Sequence, residues 1–126
     1  MPNKGDVRED GAIWWGGAWR SPEAVERKRR HDRANQRQYK KAAYETVANG
    51  REIRCQVLVC PVAGIDALEL DHIHDDGTEH RMTVKSGTQT YLWVVKNPEE
   101  ARRRLQFLCH YHNGTKPALQ PGDFLK

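Results

Sequence analysis

Leu68-Glu-Leu-Asp-His-Ile-His-Asp-Asp-Gly-Thr-Glu-His-Arg81 holds three of the six histidines and five of the seventeen acidic residues of a 126-residue chain. Leu68 and Leu70 alternate with polar neighbours, the period-two pattern of a half-buried strand. That strand delivers Asp71 and His72 side by side. Adjacent side chains on an ideal strand point to opposite faces, so this pair can share a site only where the strand ends and turns. Asp75-Asp76-Gly77 supplies the bend chemistry, and His80-Arg81 follows it.

The flanks support this stretch. Arg51-Glu-Ile-Arg-Cys-Gln-Val-Leu-Val-Cys60 reads as a strand ending at Cys60-Pro61, with a turn over 62–67. Residues 82–90 are polar and unassigned. Tyr91-Leu-Trp-Val-Val95 is apolar core, as helix or strand. Asn97-Pro98-Glu99-Glu100 opens a short helix through about Arg104, with Asn97 as N-cap, Pro98 in the first turn and a capping-box Glu. Leu105-Gln-Phe-Leu-Cys109 is strand-like, and the tail from Pro117 is expected to be irregular.

Towards the N-terminus, Ser21-Pro22-Glu23 is a helix start and Asn49-Gly50 a helix stop, so one helix is expected to run to about Ala48. Ile13-Trp-Trp-Gly-Gly-Ala-Trp19 carries three of four tryptophans, and its glycines argue against a regular element. It reads as an extended arm docked on the domain, or as a stacking platform or partner contact. Residues 1–12 are expected to be mobile. The organisation expected is a Trp-containing arm over 1–20, a basic helix over 21–49 and a compact domain over 50–126.

With 37% hydrophobic and 30% charged residues, the chain can bury only a small core, of a kind that often needs a metal or a partner subunit. The charge is unevenly placed. Nine Lys/Arg and three acids fall between Arg20 and Lys41, so that window carries +6 of a net +4 and the remainder sums to −2. A one-signed helix suits phosphate contacts from Arg27, Lys28, Arg29, Arg30, Arg33, Arg37, Lys40 and Lys41; a solvated charged face is the alternative. No apolar run approaches the roughly 20 residues of a membrane span. An odd cysteine count, three, argues against a disulfide framework, and Cys near His points to metal in a reducing compartment. With no apolar signal core at Met1-Pro-Asn-Lys-Gly-Asp6, a cytoplasmic location in a bacterial or phage-infected host cell is expected.

Some forty residues past Asp71-His72 stands a second element, Leu108-Cys-His-Tyr-His-Asn-Gly-Thr-Lys116. A strand ending in Asp71-His72-Ile73-His74, a loop with Gly77 and His80-Arg81, then Leu108-Cys109-x-x-His112-Asn113 resembles the HNH (His-Me finger, ββα-metal) endonucleases. The likeness is to the phage type that includes recombination endonuclease VII, and it covers roughly residues 53 to 116. It implies an α+β fold, a small ββα-metal domain, carrying the basic helix and Trp-rich arm in addition. It implies a DNA endonuclease in which His72 is the general base, Asp71 and Asn113 hold a catalytic Mg²⁺ or Mn²⁺, and His74 orients or assists. His80 with Arg81 would hold phosphate. The chemistry agrees: imidazole serves as a base near neutral pH, and Asp and Asn oxygens are hard ligands for such ions.

Family members often tie the fold with two Cys-x-x-Cys pairs around structural Zn²⁺. Here the first pair has Ala63 in the second ligand position, and the second is Cys109-x-x-His112. A degenerate knuckle is therefore expected, with its cysteines packed as small apolar residues. A zinc site of Cys55, Cys60, Cys109 and His112 is the alternative. Two further departures are Gly114 with Pro117, which must end or kink the helix carrying Asn113, and Lys116, which stands where some members have an acid.

Two other functions compete with the nuclease. One is a non-catalytic nucleic-acid-binding module with a degenerate HNH fold. The other is a subunit of a larger phage or host nucleoprotein assembly, docked through the Trp14–Trp19 arm. The expected partner is DNA, duplex or branched, with no membrane. A homodimer is consistent with double-strand cutting, which takes two sites or two events.

Overall fold

The computed structural model describes residues 1–74 and 88–125. The Asp75-Asp76-Gly77 bend, His80 and Arg81 lie outside the described residues. The fold is α+β, of helices and two antiparallel strand pairs. The chain forms two compact units, Met1–Arg37 and Gln38–Lys126, and the division falls within the first helix, α1 (Pro22–Ala48). No helix among the described residues is long and apolar enough to cross a membrane.

In the first unit the tryptophan stretch is a hairpin, β1 (Ile13–Trp15) and β2 (Ala18–Arg20), paired Trp14 to Trp19 and Trp15 to Ala18. The glycines that argued against a regular element instead create one. Gly16 and Gly17 have φ of 63° and 80°, the left-handed pair that a two-residue hairpin turn requires. The indoles are used internally. Trp14 and Trp19 meet edge to face at 5.4 Å, while Lys4 and Arg29 sit 4.2 and 4.4 Å from the Trp15 ring centre. α1 starts as expected, with the Ser21 hydroxyl accepting the Ala24 N–H at 3.1 Å.

The second unit packs around one apolar cluster. From α1 it takes Ala43, Tyr44 and Ala48, two adjacent residues and one a turn further on. The helix stops at Asn49 and Gly50, whose φ of 51° and 84° the chain tolerates because of their residue types. β3 (Leu68–His72) pairs antiparallel with β4 (Leu105–Cys109), in the register Leu68–Cys109, Leu70–Phe107 and His72–Leu105 on one face and Glu69–Leu108 and Asp71–Gln106 on the other. The buried Tyr44 hydroxyl donates to Leu68 O at 2.8 Å, fastening α1 to β3. Between the strands lie α2 (Thr88–Lys96), which settles Tyr91–Val95 as helix, and α3 (Pro98–Arg104). Asn97 stands at the N-cap of α3 as expected, but its side chain does not cap: its amide donates back to Trp93 O at 2.9 Å, and Glu100 pairs with Arg104 in place of a capping box.

Another segment departs from its expected form. Residues 51–60 are not a strand; the segment makes single bridges, Arg54 to Ala63 and Val57 to Phe124, and turns between Val57 and Cys60. The tail is pinned: Leu58 N–H reaches Asp123 O and Leu125 N–H reaches Gln56 O, at 2.7 and 2.6 Å. Beyond β4 the chain enters α4 (His110–Gly114), which is only five residues long and has ended before Pro117, as that proline dictates.

Candidate metal centre and carboxylate cavity

β4 and the start of α4 place Cys109 and His112 three residues apart, and the loop over 51–60 brings Cys55 and Cys60 to them. The ligand atoms of all four lie within 4.8 Å of one another, in a cluster that could hold a metal ion. Cys55, Cys60 and Cys109 are buried free thiols. Cys60 Sγ is 3.9 Å from Cys109 Sγ, and His112 Nδ1 is 3.5 Å from Cys55 Sγ and 3.2 Å from Cys109 Sγ. A tetrahedral ion with bonds of about 2.3 Å to sulfur and about 2.0 Å to nitrogen sets its ligand atoms about 3.5 to 3.8 Å apart, so these three separations lie near that spacing, within a cluster bounded at 4.8 Å. Three thiols and an imidazole are soft ligands, wrong for Mg²⁺.

The geometry therefore favours the four-residue alternative over the degenerate knuckle. Ala63 removes one ligand position, and Cys55, from an unusual spacing, lies where it could supply the missing one. It can do so because 51–60 is a turn-containing loop; as a strand it would have sent Cys55 and Cys60 to opposite faces.

Backbone donors also converge on these thiols. Cys109 N–H reaches Cys55 Sγ at 3.4 Å, and the Cys109 sulfur caps α4 by accepting His112 N–H at 3.5 Å. Burial pushes the Cys55 thiol up. Burial also raises Cys109, but His112 N–H, the Cys60 and Cys55 thiols and Tyr111 N–H outweigh it and hold Cys109 below the ordinary cysteine value. The cluster thus contains a thiol already biased towards thiolate, the form that binds metal.

The carboxylates lie on the other face of β3. Asp71 and Asn113 line one cavity of about 1030 Å³, together with His74, Gln106 and Lys116. Asp71 Oδ2 accepts from Gln106 Nε2 at 2.9 Å and pairs with Lys116 Nζ at 2.9 Å; the Asp71 and Lys116 side chains are only 11% and 14% exposed. Lys116 also donates to His72 O at 2.6 Å, so one ammonium grips the strand at both candidate catalytic positions. Asn113 Nδ2 donates to Glu69 Oε2 in a short hydrogen bond. A carboxylate can only accept, which fixes the amide orientation and leaves the Asn113 carbonyl oxygen as its other polar atom. Glu69 is held below its ordinary value, first by the Asn113 hydrogen bond, then by His110.

His72 is half-buried at the last position of β3, on the face opposite Asp71, and is not among the described residues lining the cavity. His74, two residues on, is exposed and does line it. Two residues of this site went unassigned from the sequence, Glu69 and Gln106. Glu69 was legible in principle, since it stands two residues from Asp71 and so shares its face.

On α1, Arg27, Arg29, Arg30, Arg33, Arg37 and Lys41 are exposed and Lys28 and Lys40 half-buried. Glu26 lies 3.7 Å from Arg30 and 3.4 Å from Arg33, Lys28 pairs with Asp32, and Arg29 lies against Trp15. Compared with protein-family models, curated proteins and solved structures, the chain matches none.

Proposed function

We propose that this chain is a metal-dependent DNA endonuclease of HNH type, a small ββα-metal domain whose base is tied by Zn²⁺ at Cys55, Cys60, Cys109 and His112. What carries the reading is the meeting of two half-motifs: β3 and α4 bring Asp71 and Asn113 to one cavity, beside a strand end that carries His72 and His74. The Asp71 carboxylate and the Asn113 amide oxygen suit Mg²⁺ or Mn²⁺, which when bound would offset charge on the phosphorane and the leaving oxygen. The likeness makes His72 the general base, although its strand position faces away from Asp71; His74, on the cavity wall with Asp71 and Asn113, is the imidazole that orients the water or assists. The basic residues of α1 contact the DNA backbone without reading sequence.

Incubation of purified, zinc-loaded protein with supercoiled plasmid tests this. Nicking that requires added Mg²⁺ or Mn²⁺ and is lost in Asp71→Ala is expected. No cleavage with any divalent ion, alongside salt-sensitive DNA binding, would favour the non-catalytic binding module instead.

A further inference from the structure

Lys116 occupies the carboxylate that the proposed nuclease needs for its ion. Its ammonium lies 2.9 Å from Asp71 Oδ2 and 2.6 Å from His72 O, with little solvent around either partner to screen the pair. A carboxylate has one negative charge to offer, and Asp71 is the only carboxylate among the described residues lining the cavity. A divalent ion and the ammonium therefore cannot both sit against Asp71 without repelling each other across a few ångströms.

We infer that Lys116 is a resident counter-cation that competes with the catalytic divalent ion for Asp71. In the ion-free chain it neutralises Asp71 and clamps the end of β3; when the ion arrives, the ammonium withdraws from the carboxylate. Lys116 opens the 3-10 turn Lys116–Ala118, one intervening residue past the end of α4, so its backbone lies outside the helix that positions Asn113. Withdrawal thus leaves the Asn113 ligand in place. The consequence is a site that responds to divalent ion only at concentrations high enough to outcompete an intramolecular cation. This inference rests on the divalent-ion reading of Asp71 given above.

Titration of the zinc-loaded 126-residue chain with Mn²⁺, followed by calorimetry and by the loss of free Mn²⁺ signal in electron paramagnetic resonance, tests it without reference to activity. Lys116→Met is expected to bind Mn²⁺ at least about tenfold more tightly than the natural chain, the effect of about 1.4 kcal/mol of competition removed. Lys116→Gln, which keeps a polar side chain and is the safer fold, is expected to move the same way. Circular dichroism and zinc content confirm that each variant is folded, and Asp71→Asn should abolish the Mn²⁺ isotherm. Asp71-dependent binding of equal or weaker affinity in both Lys116 variants would overturn the counter-cation role alone. Absence of Asp71-dependent Mn²⁺ binding in every form would overturn the divalent-ion reading and this inference with it.

Discussion

Glu69 shows how much a single strand position settles. Its carboxylate accepts the Asn113 amide and faces His110 Nδ1 at 3.4 Å, so it decides which end of Asn113 is left for a ligand. Because its folded pKa is depressed, its stabilising contribution is fully present above the ordinary carboxylate value of about 4.3 and disappears as pH falls through the lower folded value. Its side chain is 45% exposed, so solvent screening keeps the charge contribution under about 1 kcal/mol. Urea unfolding should show Glu69→Gln slightly less stable than the natural chain at pH 7, with the gap closing as pH falls below the ordinary carboxylate value. The cysteines act on a larger scale. Cys55→Ser is expected to lose bound zinc and at least about 3 kcal/mol of stability, read by atomic absorption and thermal melting. A chain purified metal-free with an unchanged melt would restore the degenerate knuckle. Tyr44→Phe removes one buried hydroxyl donor from Leu68 O and should cost about 1 kcal/mol by the same melt.

At the level of elements, β3, β4, α3 and the limits of α1 were legible because each carries its own local signal: alternation, a proline in the first turn, a Ser cap, an Asn-Gly stop. The hairpin of the first unit and the loop over 51–60 were not. Gly16-Gly17 reads as a breaker until it is recognised that two consecutive positive φ values are what a tight hairpin demands. Residues 51–60 alternate like a strand, yet Cys55 and Cys60 must reach the same point as Cys109 and His112, and that tertiary demand overrides the local pattern. Gly17→Ala tests the hairpin: φ of 80° strains any side chain there, and a loss of about 1 kcal/mol, seen as weakened protection of the hairpin amides from hydrogen exchange, is expected. Asn113 illustrates the converse. Pro117 and Gly114 foretold a short helix, and α4 is short, but Cys109 caps it and holds Asn113 at the cavity nonetheless.

For the whole molecule, the two compact units divide the proposed labour. Most of the basic positions on α1 belong to the first, and the metal cluster and cavity belong to the second. Replacing Arg27, Arg30, Arg33 and Arg37 with Gln should weaken DNA binding evenly across sequences. The slope of log affinity against log salt should fall by roughly one for each phosphate no longer neutralised. Zinc content and the melt of the second unit should be unchanged. Of the candidate residues, Asp71, His74 and Asn113 border one cavity and His72 does not; their present partners, Glu69, Gln106 and Lys116, were not legible, because those pairings depend on strand register and on the turn that follows α4. The central claim stands on His72, the residue assigned as base at the end of β3. Plasmid nicking by His72→Ala, compared with the natural chain at saturating Mn²⁺ and matched zinc content, tests it most directly. A loss of at least about a hundredfold in rate with fold and DNA affinity retained is expected; nicking at the natural rate would contradict the assignment, and nicking that instead disappears in His74→Ala would move the base to the cavity wall.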